Sequence, residues 1–493
     1  MQIETAVQKR GLMTTPQGIA LGILAIVAVW CLSPVTPLTM VLITVGVLLL
    51  VGLRTPIWAL AALLVSQLTI TSYMVNTPFG VAISLRLLLL VIIGLVVWHS
   101  AATARVELGP GAKRVLIPAS IIIGVALISN VVNSGFGAAF KDFRYGIVGL
   151  LIVVLLSAVI KNLKDLKILC GVAFVGLTAS AVIGVLQHYA PNGIGHHTLI
   201  PGFLAAWGTQ GIRVPGLGES ELELAAVLSA AVIAVLGLYL AKGVGSGVRQ
   251  LTVVSIVLMA AALYFTYTRS ALLAVLMGLL ALALFLKTRI KGEIILVAML
   301  ILIVVVAISG IAEGRYLGGR SESGQEQSSN SRKILWQVGT AIAVANPILG
   351  IGAYRFPEVS VQYSDQVNPQ LLAWEHEQYW GYSTLGSEAV HNDFLGMWVS
   401  YGTLALIAYV WLYFVVLRNL LDSYRSSKDS FIKGLSVGLA AALVAYAANS
   451  FYHNTMATFP LFWILAGFSV VIAKLALKKV EGKREWLIGD EIL

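Results

Sequence analysis

Residues 220–241 read SELELAAVLSAAVIAVLGLYLA, and after Glu221 and Glu223 no charge interrupts the run. As a helix rising 1.5 Å per residue it is about 33 Å long, enough to cross the roughly 30 Å hydrocarbon core of a bilayer. It is apolar on every face, so it has no side to offer water. Similar runs lie near 18–32, 36–53, 56–73, 82–98, 115–132, 145–160, 168–187, 250–267, 270–286, 293–311, 392–417, 431–451 and 457–475. The first two are short enough to form one re-entrant pair. The expected fold is all-α: a polytopic integral membrane protein of about 12–14 transmembrane helices, with one large extracytoplasmic loop region.

Composition agrees. Of 493 residues, 58% are hydrophobic and 11% charged, and mean hydropathy is +0.89. Soluble domains carry about 45–50% apolar and about 25% charged residues, so a soluble enzyme, a disordered scaffold and a disulfide-stapled secreted domain are excluded. The net charge of +10 comes from residues scattered through short loops. No Lys/Arg block is interleaved with aromatics, and no nucleic-acid partner is expected. Cys31 and Cys170 fall at the ends of different runs on opposite sides of the membrane, which predicts neither a disulfide nor a Cys metal cluster. Lys9 and Arg10 precede an apolar run from Ile19 to Leu32 without a small-residue cleavage site, and this reads as a retained first helix.

Lys and Arg set the orientation. With the N-terminus inside, 23 of the 33 fall on the cytoplasmic side, as the positive-inside rule requires, and both termini are cytoplasmic. Two extracytoplasmic segments are long, about 188–219 and 312–390, and polar chemistry has room there. The larger carries Trp374, Tyr379, Trp380 and Tyr382, which predict short interfacial helices at headgroup level.

The outer basic residues are eight arginines (86, 144, 213, 269, 315, 320, 332, 355) and two lysines (141, 333), whereas the inner set is nine Arg and fourteen Lys. A guanidinium fork matches phosphate oxygens bidentately and stays charged in a partly dry site. Any one arginine taken alone also reads as an interfacial anchor. Arg213, Arg269 and Arg332 each lie near a helix end on one face, where together they make a pocket for an anionic headgroup. Six of the seven histidines are also outside (188, 196, 197, 376, 391, 453). His196 and His197 are adjacent and diverge, and no His/Cys/Glu spacing matches a metal site. His391 opens a helix in SEAVHNDFLG, residues 387–396. An imidazole there either takes a proton from a hydroxyl, its ordinary pKa of about 6.5 being near working pH, or simply caps the helix.

The spacing of these residues resembles a known family. His391-Asn392, nine residues, then Gly402 is similar to the His-[Asn/Ser/Gln]-x9-Gly pattern of the O-antigen ligase and polysaccharide polymerase family. Thr268-Arg269-Ser270-Ala271-Leu272-Leu273-Ala274 resembles its Ser/Thr-Arg-Ser/Gly-x-Leu-Leu-Ala helix start. Arg332, Trp336 and Asn346-Pro347-Ile348-Leu349-Gly350-Ile351-Gly352 resemble its Arg…Trp…Pro-(Leu/Ile)-Leu-Gly-x-Gly element. Arg213 to Gly216 with Leu222-Glu223-Leu224-Ala225 resembles Arg-x-x-Gly…Asn-x-Leu-Ala, with Leu222 in the Asn position.

The resemblance covers roughly 200–420. It divides the chain into N-terminal helices (1–199), a ligase-like catalytic region (200–420, with the loop 312–390), C-terminal helices (421–475) and a cytoplasmic tail (476–493). It implies a membrane glycosyltransferase of the bacterial inner membrane, working on the extracytoplasmic face. The donor would be an undecaprenyl-diphosphate-linked glycan. The acceptor would be lipid A-core or a second lipid-linked glycan, with no metal, nucleotide or other cofactor. His391 would be the catalytic base of an inverting transfer and Arg213, Arg269 and Arg332 the diphosphate ligands. Arg86, Arg144, Glu388 and Asp393 form a second tier. The rival reading is a lipid-linked oligosaccharide flippase or other transporter, whose binding residues sit near mid-membrane. The mid-span regions here are nearly charge-free, Arg86 being the most embedded ionisable residue. A non-catalytic scaffold would leave the polar loop and His391 without a role.

Topology is directly testable. A reporter fused after Gly318 is expected to read as extracytoplasmic, and one after Lys483 as cytoplasmic.

Overall fold

The computed structural model describes residues 56–69, 74–76, 82–84, 109–189, 213–217, 220–286, 322–378, 384–386, 389–453 and 460–489. The expected spans at 18–32, 36–53 and 293–311, and Cys31, lie outside the described residues. The molecule is a helical bundle. Its long elements are α1 (Pro56–Thr69), α2 (Pro110–Val159), α3 (Leu163–Tyr189), α4 (Glu221–Leu240), α5 (Ser246–Phe265) and α6 (Arg269–Leu286). The second half adds α7 (Glu322–Ala345), α8 (Phe356–Ser360), a 3-10 turn (Val361–Gln366) and α9 (Pro369–Gln378). It ends with α10 (Asp393–Tyr401), α11 (Thr403–Ser426), α12 (Ser430–Ser450) and α13 (Leu461–Gly489). Seven of the described helices are long and apolar enough to cross a membrane.

Local chemistry explains the ends. Ser220 caps α4 by accepting from the Glu223 N–H, and Glu221 and Glu223 place negative charge at the positive end of the helix. Asp429 caps α12, accepting from the Phe431 and Ile432 N–H groups.

Two boundaries differ from expectation. The runs 115–132 and 145–160 remain two helical halves of α2, parted at Gly135, where φ is +81°. The halves fold back on each other: a Cβ on Gly146 would meet the Ile123 side chain, and the Asn130 amide donates to Asp142. The run 392–417 is two helices, because Gly402 at φ +83° turns the chain between α10 and α11. The run 82–98 begins as a strand: Met74–Asn76 (β1) pairs antiparallel with Ala82–Ser84 (β2), Val75 opposite Ile83, and Pro78 and Gly80 stand between them. This small hairpin is an addition to an otherwise helical bundle.

The main core runs through α1 to α6 and α11 to α13, with Leu228, Ile233, Tyr409, Tyr446 and Phe462 fully buried. At its centre α4 and α12 touch backbone to backbone. Gly237 faces Gly438, and Gly438 lies against the carbonyl of Ala234. Between membrane helices such small residues replace the hydrophobic drive that lipid removes.

Residues 322–390, inside the expected large loop, are more ordered than a loop. Ile334, Leu335, Val338 and Ile342 of α7 pack with Ile351, Phe356, Val359, Val367, Leu385 and Val390 into a second core. Helix α10 belongs to both. Leu395, Trp398 and Val399 face the second core, while Phe394 and Met397 pack against the first.

The glycine contact predicts a sign change for one substitution at two places. A Cβ on Gly438 would lie 3.0 Å from the Ala234 Cα and carbonyl carbon, whereas one on Gly247 in α5 meets nothing within 4 Å. Gly438→Ala should lower the melting temperature in detergent, by an overpacking cost of about 1–3 kcal/mol. Gly247→Ala should leave it unchanged or raise it slightly.

Candidate active site

The site is built from helix ends. The α5–α6 turn, Thr266-Tyr267-Thr268, puts Tyr267 at φ +50°, a left-handed conformation that costs a non-glycine residue about 1–2 kcal/mol. Arg213 holds this turn from one side. Its Nε and Nη2 donate to the carbonyls of Thr266 and Tyr267, each at 3.2 Å, and its Nη1 pairs with Glu221 Oε1 at 2.7 Å. The loop carrying Arg213 is itself gripped by α3. Gln187 bonds both the N–H and the C=O of Gly216 at 3.0 Å, and Ser180 Oγ accepts from the Leu217 N–H.

The turn leads into Arg269, exposed at the first position of α6, and then buried Ser270. The Ser270 Oγ lies 2.8 Å from His453 Nε2. His453 follows the end of α12 and is only 5% exposed. Its pKa is pushed down to about 3, first by burial and then by the charges of Arg332, His391 and Arg213, all of which reach it. Trp336 of α7 meets Tyr452 with ring centroids 5.9 Å apart, which brings the Arg332 helix to the same place.

His391 stands at φ +53° just before α10. The helix is capped by its neighbour: Asn392 Oδ1 accepts from the Leu395 N–H at 3.0 Å. The His-Asn pair thus divides the labour, Asn capping while His391 takes the left-handed turn before the helix. Histidine tolerates that turn better than most residues, and strain of this kind clusters at functional sites.

The two glycine-bearing motifs lock together. A Cβ on Gly402 would strike the Ile348 carbonyl, and one on Gly350 the Val399 carbonyl. Backbone bonds join Ile351 N to Val399 O, Gly352 N to Ser400 O, and Thr403 N to Pro347 O, at 2.8–2.9 Å. Residues from α2 finish the joint. Ser129 Oγ donates to the carbonyls of Leu349 and Ser400. Asn130 Oδ1 accepts from the Ala353 N–H. Asp142 takes hydrogen bonds from Asn130 and Tyr401, each at 2.7 Å, and burial raises its pKa despite them.

Of the residues singled out from sequence, Arg213, Arg332 and His391 converge on His453, and Arg269 adjoins its partner Ser270. Asp393 is buried and acts electrostatically on Tyr409 and Tyr413 of α11. Arg144 lies in α2 beyond the Gly135 bend, while Arg86 and Glu388 fall outside the described residues. Among the described residues, no three His, Cys, Asp or Glu side chains gather as a metal site. Sequence reasoning grouped His453 with the outer histidines but gave it no role, and it missed Ser270, Glu221 and Asp142. His453, Ser270 and Asp142 have partners that only the fold brings near.

Compared with known families, residues 254–410 match the one described as O-antigen ligase. The match includes Arg269, Arg332 and His391, begins after Arg213 and ends before His453. No curated protein matches the chain.

His453 gives stability a pH dependence. The unfolded chain takes up this proton near pH 6.5, but the folded one only near pH 3. The stability held by the neutral ring is whole above pH 6.5 and is lost as pH falls toward 3. The melting temperature should fall between pH 7 and pH 4, and fall less steeply in His453→Gln.

Proposed function

We propose that the protein transfers glycan on the extracytoplasmic face of the bacterial inner membrane, with residues 254–410, which match the family described as O-antigen ligase, as its catalytic part. The donor is a glycan on undecaprenyl diphosphate. The acceptor is a hydroxyl of lipid A-core or of a second lipid-linked glycan. The observation that carries this reading is that Arg213, bonded to the Thr266 and Tyr267 carbonyls, and the buried Ser270–His453 hydrogen bond flank Arg269 at one turn, where the charges of Arg332 and His391 also act. Arg269 and His391 lie at helix ends and Arg213 in the loop before α4, but Arg332, expected near a helix end, lies inside α7; three guanidiniums and one imidazole suit a dianionic leaving group and a single proton.

In the proposed reaction the arginines hold the diphosphate and offset the charge that grows on it as it leaves. The acceptor oxygen attacks the anomeric carbon from the opposite face, the bond from that carbon to the diphosphate oxygen breaks, and configuration inverts. His391 takes the hydroxyl proton as the new bond forms. The lipid diphosphate is its own activated leaving group, so positioning and charge supply the remainder of the catalysis.

The test is glycan transfer by purified protein from a polyprenyl-diphosphate glycan, followed by product size. A general base is worth about 10²–10⁴-fold, and His391→Ala and His391→Gln are both expected to lose that much turnover while remaining folded. Near-normal turnover of His391→Gln would reduce His391 to orienting the acceptor and make Glu388 the first carboxylate to try as base. Arg269→Lys and Arg332→Lys keep the charge but lose the fork, and should lose most activity. Translocation without a new glycosidic bond would overturn the proposal.

A further inference from the structure

We propose that His453 is a positioning residue for the diphosphate site, its neutral imidazole tying Ser270 to the end of α12 and so fixing how Arg269 leaves the first turn of α6. The proposal rests on the donor reading given above.

The argument begins with the α5–α6 turn. Tyr267 is left-handed at φ +50°, so the turn needs support from outside. One support is Arg213, bonded to the Thr266 and Tyr267 carbonyls. The other lies past Arg269: Ser270 Oγ to His453 Nε2, 2.8 Å, across 183 residues of sequence. Arg269 lies between these two supports in the chain. Both partners of the second are buried, Ser270 at 9% and His453 at 5% exposure, where an unmade hydrogen bond is expensive.

The choice of histidine follows from its surroundings. Arg332, His391 and Arg213 act on this position from three other segments, so a lysine or arginine in its place would add a like charge to a crowded site. A neutral imidazole keeps the hydrogen bond without that repulsion. Serine beside histidine also resembles a nucleophile pair, and the experiment separates the two roles.

The probe is geranylgeranyl diphosphate, a short polyprenyl diphosphate, titrated onto the purified full-length protein in detergent. Losing the buried bond should weaken binding about 5- to 100-fold in His453→Ala and in Ser270→Ala, and the double variant should bind no worse than either. His453→Gln, whose amide reaches as far as Nε2 and carries no charge, should recover most of the affinity. Wild-type affinity in both alanine variants would overturn the proposal, as would additive losses, or a Gln variant no better than Ala. Unchanged affinity in Ser270→Ala with transfer abolished would make the serine a nucleophile instead. A wild-type protein that does not bind the probe would refute the donor reading and this proposal together, whereas binding that is indifferent to these variants would refute this one alone.

Discussion

Hydrocarbon cannot hydrogen-bond a stray polar group, so a chain this apolar confines its chemistry to the ends of its helices. The site follows from that constraint. Arg213 precedes α4, Arg269 opens α6, His391 precedes α10 and His453 follows α12. Arg269, His391 and His453 stand where a helix has run out of its own backbone partners. The carbonyls of Thr266 and Tyr267, left over at the end of α5, are taken by the Arg213 guanidinium.

The apolar middle of the bundle has a different duty. Where Gly237 and Gly438 bring α4 and α12 into backbone contact, the helices gain dispersion contacts that lipid would otherwise supply equally well. The two helices also lead to the site, because α4 begins at Glu221, the partner of Arg213, and α12 ends three residues before His453. Several cations gathered at one place need fixed supports, since flexible ones would let like charges separate.

Runs such as 220–241 and 431–451 are legible because about twenty predominantly apolar residues have one stable state in a bilayer. Gly135 and Gly402 were less so, because a single glycine reads the same inside a helix as at a bend until its neighbours are known. At Gly402 the deciding neighbour is Ile348, 54 positions away in sequence. Arg213, Arg269, Arg332 and His391 were legible through motif spacing. Ser270 stood inside a motif and still gave no sign of its role, since a serine in a first helical turn usually serves only its own helix. His453 and Asp142 depend on contacts 183 and 259 residues distant, and no local pattern announces such pairs.

Helix α10 has nine residues and two landlords, one core on each side. A helix so short has little stiffness of its own, and its orientation is the compromise between Leu395 and Val399 on one flank and Phe394 and Met397 on the other. His391 stands at its front edge. The placement of that residue is therefore a shared property of the membrane bundle and of the second core built around α7. Substitutions far from it, in Ile334 or in Tyr409, would reach it by tilting this one small lever.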